Sequence, residues 1–201
     1  MKKIVFLLVT VFTISFVNAQ DSDVPARATF SRGDKWLEGG ISLTTGDSSD
    51  DYFAMTPKFG YFLDKKWAIG ADINYASIAY LPNTNSLDKS DSFGIGGFVR
   101  YYFLSLGNFK AYGEVGLGFN QTKLKYLDGS STKNDGIKAN VDLGIHYFFS
   151  TKWAVTFTIA EVLSYNNTSP ENGDNSSDLV ININLFNNIF AQPKFGLLYK
   201  W

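Results

Sequence analysis

The stretch Gly136-Ile-Lys-Ala-Asn-Val-Asp-Leu-Gly-Ile-His-Tyr-Phe-Phe149 decides the fold. Most of its apolar side chains fall on every second residue, and the residues between them are mainly polar or glycine. A strand points successive side chains to opposite faces, so this period of two predicts a strand with one apolar and one polar face. The stretch is also longer than the roughly 9–11 residues that a tilted strand needs to cross a bilayer.

The same period recurs along most of the chain. Alternating segments cover residues 35–45, 52–63, 67–80, 92–104, 109–126 and 136–149, one begins at 153, and a last one ends at 201. None shows a helical period, so the sequence predicts an all-β fold. Eight segments predict a closed antiparallel up-and-down transmembrane β-barrel of eight strands. Residues 178–188 fit either one long last strand or a strand with a bend or bulge near Asn187-Asn188.

The connections are predicted to alternate between short and long. Short turns are expected at 64–65, 105–108 and 150–152, and long polar loops at 46–51, 81–91, 127–135 and 166–177. Outer-membrane barrels have short periplasmic turns and longer outer loops. The acidic loops lack the regular ligand spacing of a Ca²⁺ loop, so flexible solvated loops are predicted there.

The N-terminus has the pattern of a secretory signal peptide. Lys2 and Lys3 precede an apolar run, which ends at the small-residue site Val17-Asn18-Ala19. We predict a signal peptide at 1–19, a polar periplasmic leader at 20–34 and a barrel domain at 35–201. The chain has 18 basic and 19 acidic residues and no cysteine. Without Lys2 and Lys3 the balance is 16 to 19, which argues against nucleic acid as a partner.

The two faces of the segments differ in charge. The apolar face is nearly uncharged, whereas the other face carries a set of polar residues that we expect to line the interior: Glu38, Lys58, Asp72, Arg100, Glu114, Lys138, Asp142 and His146. Aromatic residues cluster at strand ends, at 61–62, 101–103, 147–149, 199 and 201. Such clusters form girdles at a membrane interface, although aromatic plugs that close the base of a soluble barrel remain an alternative.

The interior is predicted to hold an ion pair between Arg100 and Glu114. These residues face inward at similar heights on neighbouring strands. An eight-stranded barrel has an interior that side chains just fill, and charges there must be paired. We expect Lys58, Lys138 and Asp142 near the pair, and expect inward glycines such as Gly94 and Gly116 to make room for large neighbours.

No catalytic, cofactor-binding or metal site is predicted. The chain has a single histidine and no cysteine, which excludes a cysteine nucleophile and any multi-histidine metal cluster. His146 faces inward near a short turn and is followed by Tyr147-Phe148. We therefore interpret it as a hydrogen-bonded interior histidine.

The C-terminal stretch Lys194-Phe-Gly-Leu-Leu-Tyr-Lys-Trp201 resembles the assembly signal of bacterial outer-membrane barrels, with Gly196, Tyr199 and Trp201 at its glycine and aromatic positions. The segments 64–70 and 150–155 are similar to periplasmic turn repeats. Over residues 35–201 the chain resembles the small outer-membrane β-barrel superfamily, which includes OmpX-like and OmpA-transmembrane-like proteins.

The resemblance implies a non-enzymatic barrel in the outer membrane of a Gram-negative bacterium, with a structural, surface-interaction or adhesin-like role. It implies as partners the outer-membrane lipid and lipopolysaccharide, the barrel-assembly machinery through the C-terminal strand, and a surface partner through the loops. Two alternatives stay open. One is a soluble exported lipocalin-like barrel that binds a small hydrophobic ligand, although Gly33-Asp-Lys-Trp36 lacks that family's Gly-x-Trp spacing. The other is a narrow pore, which a filled interior disfavours.

Overall fold

The computed structural model describes residues 28–46, 49–81, 86–171, 173–181 and 194–201. The predicted signal peptide and the bend near 187–188 lie outside these ranges. The described residues form these strands: β1 Lys35–Gly39, β2 Ile41–Gly46, β3 Ser49–Met55, β4 Lys58–Phe62, β5 Trp67–Ala79, β6 Leu87–Leu106, β7 Phe109–Tyr126, β8 Ser131–Phe148, β9 Trp153–Pro170, β10 Ser176–Ile181 and β11 Lys194–Lys200. Over the described part of the chain, no helix is long and apolar enough to cross a membrane.

Eight of these strands close a ring. Antiparallel pairing runs in the order β1, β4, β5, β6, β7, β8, β9, β11 and returns to β1. The remaining strands extend it at one end, where β2 pairs with β3, β3 with β5, and β10 with β9. The predicted all-β, eight-stranded closed barrel is confirmed.

The first two predicted segments are each split into two strands. The first breaks at Gly40 and the second at Thr56-Pro57. Proline has no N–H to donate to the ladder, so it interrupts a strand. The two breaks lie side by side, because the Thr56 amide donates to the Gly40 carbonyl at 3.2 Å.

The prediction of long flexible loops is wrong where the structure describes them. β6 begins at Leu87 and β8 at Ser131, while β9 runs on to Pro170 and β10 begins at Ser176. Apolar and polar residues alternate only weakly in these segments, because both faces of each strand are polar there. Alternation reports burial of one face, whereas the backbone ladder continues wherever two strands remain aligned. The end of the barrel that carries these extensions is called the loop end below.

The opposite end, called the turn end, repeats one turn twice. Asp64 Oδ1 accepts hydrogen bonds from the amides of Lys66 at 2.6 Å and Trp67 at 2.8 Å. Ser150 Oγ accepts from the amides of Lys152 at 3.2 Å and Trp153 at 3.0 Å. The backbone bonds to Asp64 lower the pKa of its carboxyl group. A short polar side chain at the start of each turn thus replaces the missing ladder partners.

Interior glycines lie directly opposite the largest interior side chains. Gly60 is the register partner of Trp36, Gly70 of Phe98 and Gly144 of Tyr112. A Cβ atom built on these glycines would lie 2.0, 2.3 and 2.4 Å from the facing ring. Polar side chains follow the same rule, since Asp72 lies over Gly96 and Asn140 over Gly116. Each glycine therefore provides the space into which its neighbour folds.

Candidate functional site

The interior at the turn end is closed by an aromatic layer, which consists of Phe30, Phe62, Tyr102 and Phe148. All four are buried. The Phe30 ring stacks on Phe62 at 4.1 Å and lies 4.6 Å from Tyr102 and 5.6 Å from Phe148. The prediction that residues 61–62, 101–103 and 147–149 all belong to an outer girdle is therefore wrong for the inward member of each set.

The outward neighbours of this layer do form aromatic pairs on the outer surface. Trp67 lies 4.6 Å from Tyr101, Phe109 lies 4.7 Å from Tyr147, and Trp153 lies 4.7 Å from Tyr199. Alternation along each strand thus sends one ring inward and the next one outward. This barrel therefore has both an outer aromatic girdle and an aromatic plug at its turn end.

Phe30 comes from the segment predicted to be a polar periplasmic leader. From residue 28 onward this segment is part of the barrel, because Ala28 and Phe30 are buried inside it. The Gly33 amide donates to the Phe62 carbonyl at 2.9 Å. Lys200 Nζ donates to Asp34 Oδ2 at 2.8 Å and to the Thr29 carbonyl at 2.7 Å. Sequence reasoning missed Phe30, whose only signal is a large apolar residue within a polar segment.

Next to the aromatic layer lies a group of charged residues that we call the Arg100 network: Glu38, Lys58, Arg100, Glu114 and His146. Arg100 Nε donates to Glu114 Oε2 at 2.7 Å, and Arg100 Nη1 donates to Glu38 Oε2 at 2.7 Å. Lys58 Nζ donates to the other oxygen of Glu114. Two carboxylates thus face two cations, which balances the charges in the buried interior.

Aromatic rings hold the guanidinium group of Arg100 from two sides. Its Cζ atom lies 4.5 Å from the centre of the Trp36 ring and 4.1 Å from the centre of the Tyr112 ring. A cation over an aromatic face is stabilised by the ring quadrupole, most strongly where water is excluded. Both rings lie over glycines, so the positions of Gly60 and Gly144 determine where Arg100 is held. Sequence reasoning missed Trp36, although the alternation that places Glu38 inside also places Trp36 there.

His146 completes the Arg100 network and is fully buried. Its Nε2 atom lies 3.2 Å from Arg100 Nη1, and its Nδ1 atom lies 3.4 Å from the Tyr102 hydroxyl oxygen. The Nε2 atom also lies 3.5 Å from Glu38 Oε2, so this ring nitrogen contacts both the guanidinium group and one of its carboxylate partners. The ring thereby links the Arg100 network to the aromatic layer, and both layers separate it from solvent.

Of the other predicted interior residues, Asp142 is the register partner of Glu114 and Asp72 that of Lys58, while Lys138 lies farther toward the loop end. Asp72 and Lys138 line a cavity of about 320 Å³ together with Asn74 and Asn140. Asn140 Nδ2 donates to Asp142 Oδ2 at 2.6 Å. The cavity ends at Glu114 and Phe98, which also contact Arg100 or its partners.

Lys138 forms an ion pair with Glu161, whose Oε2 lies 2.9 Å from Lys138 Nζ. Sequence reasoning missed Glu161 because strict alternation from Trp153 places it on the outward face with Ile159. The β8–β9 ladder shifts register between Val141 and Asp142 and again between Leu143 and Gly144. Each bulge adds one residue and reverses the alternation, a change that the sequence pattern does not reveal.

The C-terminal strand closes the ring against β1. The Lys35 amide donates to the Trp201 carbonyl at 3.0 Å, Gly196 lies opposite Thr156, and the Tyr199 and Trp201 rings stack at 5.7 Å. A role for Gly196, Tyr199 and Trp201 in assembly remains a prediction. Within the described ranges, no group of three or more His, Cys, Asp or Glu residues is placed to hold a metal ion.

Comparisons with known proteins agree with this geometry. Residues 4–196 match the family described as outer membrane protein beta-barrel domain. Neisserial surface protein A has a TM-score of 0.52 at 17% identity, over 84% of this chain and 94% of that one, which shows a shared fold. The N-terminal β-barrel domain of Pseudomonas aeruginosa OprF has a TM-score of 0.49 at 12% identity, over 86% of this chain and 100% of that one. No curated protein sequence matches the chain.

Proposed function

The chain belongs to the outer membrane protein β-barrel domain family, and we propose that it is a closed barrel without enzymatic activity that displays an interaction surface outside the cell. It is located in the outer membrane, which excludes the soluble lipocalin-like alternative. The family has structural, adhesin-like and pore-forming members. The state of the interior is what distinguishes a pore from the other two.

The observation that carries the proposal is the pair of filled layers inside the barrel. The aromatic layer and the Arg100 network follow each other along the axis, and the side chains of Trp36, Phe62, Arg100, Tyr112 and Phe148 are among the largest fully buried ones. An interior of eight strands is only wide enough for such side chains. The cavity on the loop-end side stops at the Arg100 network, which supports a closed barrel rather than a narrow pore.

Long strand extensions support the display of an interaction surface. β6 has 20 residues, and β7, β8 and β9 have 18 each, whereas a tilted strand needs about 9–11 to cross the membrane. On β7 the outward apolar positions run from Phe109 to Phe119, which corresponds to roughly 25 Å along the membrane normal. The rest of β7 projects beyond the hydrocarbon layer. Short turns of outer-membrane barrels are periplasmic, so the extensions face the exterior.

The absence of enzymatic activity is supported by the environment of His146. Its ring lies between the aromatic layer and the Arg100 network and is fully buried. A general base must reach a substrate proton directly or through one water. His146 instead contacts Arg100 and Tyr102, which supports a structural role.

Two measurements test the proposal. Planar-bilayer recordings of the purified barrel should show no steady ion current, and a large steady current would instead indicate a pore. The chain has no cysteine, so single cysteines can report its orientation on intact cells. Leu127→Cys at the loop end should react with a membrane-impermeant maleimide, and Lys65→Cys at the turn end should not. The opposite labelling pattern would contradict the display of the extensions at the surface.

A further inference from the structure

The cavity on the loop-end side of the Arg100 network has opposite charges on two of its sides, a feature that the proposed function does not use. Asp72 on β5 and Lys138 on β8 both line this cavity. Asp72 is the register partner of Gly96 on β6, which pairs with Gly118 on β7. Gly118 is in turn the register partner of Lys138. One register row of the inner wall therefore consists of an acid, two glycines and a lysine.

The two glycines keep the space between these charges open. A Cβ atom at Gly96 would lie 2.7 Å from Asp72 Oδ1, and one at Gly118 would lie 3.0 Å from the Ile95 carbonyl oxygen. Neighbouring strands are about 4.8 Å apart, so three spacings separate Asp72 from Lys138 by about 14 Å along the wall. Their side chains reach inward from the two ends of this row, which leaves room for a small molecule between the charges.

The protein does not satisfy the charge of Asp72. Of the described residues, none donates a hydrogen bond to its carboxylate or forms an ion pair with it, and its register partner Lys58 donates to Glu114 instead. A half-buried polar group without a partner is costly. Lys138 Nζ donates to Glu161, which uses one of its three N–H groups. An acceptor and free donors are thus both available inside the cavity.

Asparagine side chains surround the charged row. Asn74 and Asn120 lie one register row nearer to the loop end, and Asn140 lies one row nearer to the turn end. All three line the cavity, and each lies over a glycine of a neighbouring strand. A side-chain amide both donates and accepts hydrogen bonds. The cavity therefore offers polar groups of both kinds between its two charged sides.

We propose that this cavity binds a small zwitterion, which carries an ammonium group at one end and a carboxylate at the other, as a free amino acid or a dipeptide does. The ammonium group donates to Asp72, the carboxylate accepts from Lys138, and the asparagine amides bind the polar atoms between them. A simple cation would leave Lys138 without a role, and a simple anion would do the same for Asp72. The cavity volume of about 320 Å³ is at the lower end of ligand pockets, roughly 300–1,000 Å³, which suits a small molecule.

The side from which the ligand enters rests on the proposed function. The Arg100 network closes the cavity toward the turn end, because Glu114 and Phe98 form its floor. A ligand therefore reaches the cavity from the loop end, which faces the exterior in the proposed function. Binding to the purified barrel does not depend on this orientation.

The test titrates dialanine with the folded barrel in detergent and follows binding by NMR signals of the ligand. Dialanine should bind saturably. N-acetyl-dialanine lacks the ammonium group, and dialanine amide lacks the carboxylate. Each of these forms should bind roughly 10- to 100-fold more weakly, since a hydrogen bond to a charged group contributes a factor of this size.

Combining variants with ligand forms shows which residue meets which end of the ligand. Asp72→Asn should weaken dialanine binding as much as acetylation does, and acetylation should then have no further effect. Lys138→Gln should behave in the same way toward the amide form, and Lys138→Arg should retain binding. The matched control Lys123→Gln changes an exposed lysine on the outer face of β7 and should leave binding unchanged.

A stability measurement separates loss of binding from loss of folding. Because Asp72→Asn removes a carboxylate without a partner, its urea midpoint in the absence of ligand should equal or exceed that of the wild type. Dialanine binding that is as tight in Asp72→Asn as in the wild type would overturn the proposal.

The ligand forms also distinguish other ligand classes. If dialanine amide binds as tightly as dialanine, the cavity takes an amine alone and the zwitterion assignment is overturned. If glucose displaces dialanine at equal concentration, the assignment is overturned in favour of a neutral sugar. Absence of dialanine binding would overturn the inference and leave the bilayer recordings and the labelling of Leu127→Cys unaffected. Reversed cysteine labelling instead contradicts the proposed function itself, so the two failures can be told apart.

Discussion

Trp36 lies flat against Gly60 on the neighbouring strand, so close that a Cβ atom at residue 60 would lie 2.0 Å from Trp36 Cε2. The glycine thereby positions one of the two rings that hold Arg100. The same relationship between Tyr112 and Gly144 positions the other ring. The glycine pattern of the sequence therefore determines how the interior is filled.

Substituting Gly60→Ala should destabilise the barrel by about 1–3 kcal/mol, because the fully buried Trp36 has no room to move away from the added methyl group. Gly97→Ala is the matched control. A Cβ atom added at Gly97 points outward and would lie 3.6 Å from its nearest neighbour, which is an ordinary van der Waals distance. The change should therefore be neutral. Urea unfolding in lipid vesicles measures both variants, and equal effects would mean that the glycine pairs do not control packing.

The free-energy cost of a charged substitution on the lipid-facing surface should depend on its depth in the membrane. Val115 is exposed on the outer wall near the middle of the apolar rows, so Val115→Arg should cost about 2–4 kcal/mol. Gln121→Arg lies on the same face of the same strand but beyond these rows, and should cost about 0–1 kcal/mol. The same unfolding assay applies. A small cost at both positions would place Val115 outside the hydrocarbon layer.

The sequence predicts some elements closely and others poorly, for identifiable reasons. The bounds predicted for β7, Phe109 to Tyr126, match the structure because alternation persists along the strand and a short turn precedes it. The alternation predicts a start of β8 at residue 136 rather than at Ser131, because residues 131–135 are polar on both faces. Strict alternation from Trp153 would place Glu161 on the wrong face, because a bulge in the β8–β9 ladder reverses the alternation before it. Alternation reports burial of one face, so it fails where both faces meet water and where register shifts.

The turn that begins at Asp64 should depend on a side-chain hydrogen-bond acceptor at its first residue. Asp64→Ser should preserve the turn, since Ser150 plays the same part in the other turn, whereas Asp64→Ala should lower the urea midpoint. Backbone hydrogen bonds lower the pKa of Asp64. The contribution of the Asp64 carboxylate to the stability of the barrel should therefore be complete above the ordinary aspartate pKa. It should be lost as the pH falls through the lowered pKa. If Asp64→Ser shows the same acid dependence as the wild type, another group is responsible.

Phe30 should anchor the segment from residue 28 to residue 34. Removing a buried phenylalanine ring costs about 3–5 kcal/mol, so Phe30→Ala should release the segment and expose the bond after Arg32 to trypsin. Thr29→Ala changes an exposed neighbour and should leave cleavage as slow as in the wild type. Mass spectrometry of the digested, folded barrel identifies the site. Equal cleavage of both variants would show that the Phe30 ring does not anchor the segment.

The central claim is that a charge-balanced network around Arg100 fills the interior, and a double-mutant cycle on Arg100 and Glu114 tests it most directly. Glu114→Gln leaves Arg100 and Lys58 with Glu38 alone, and Arg100→Met leaves two carboxylates with Lys58 alone. Each single change strands a buried charge and should cost on the order of 3–5 kcal/mol. The double variant restores the charge balance and should cost much less than the sum of the two single changes.

The half-exposed pair Lys138 and Glu161 is the control, for which Lys138→Met and Glu161→Gln should couple by only about 0–1 kcal/mol. Strong coupling at Arg100 and Glu114, measured by unfolding in vesicles, is the predicted result, and additive single effects there would contradict the account.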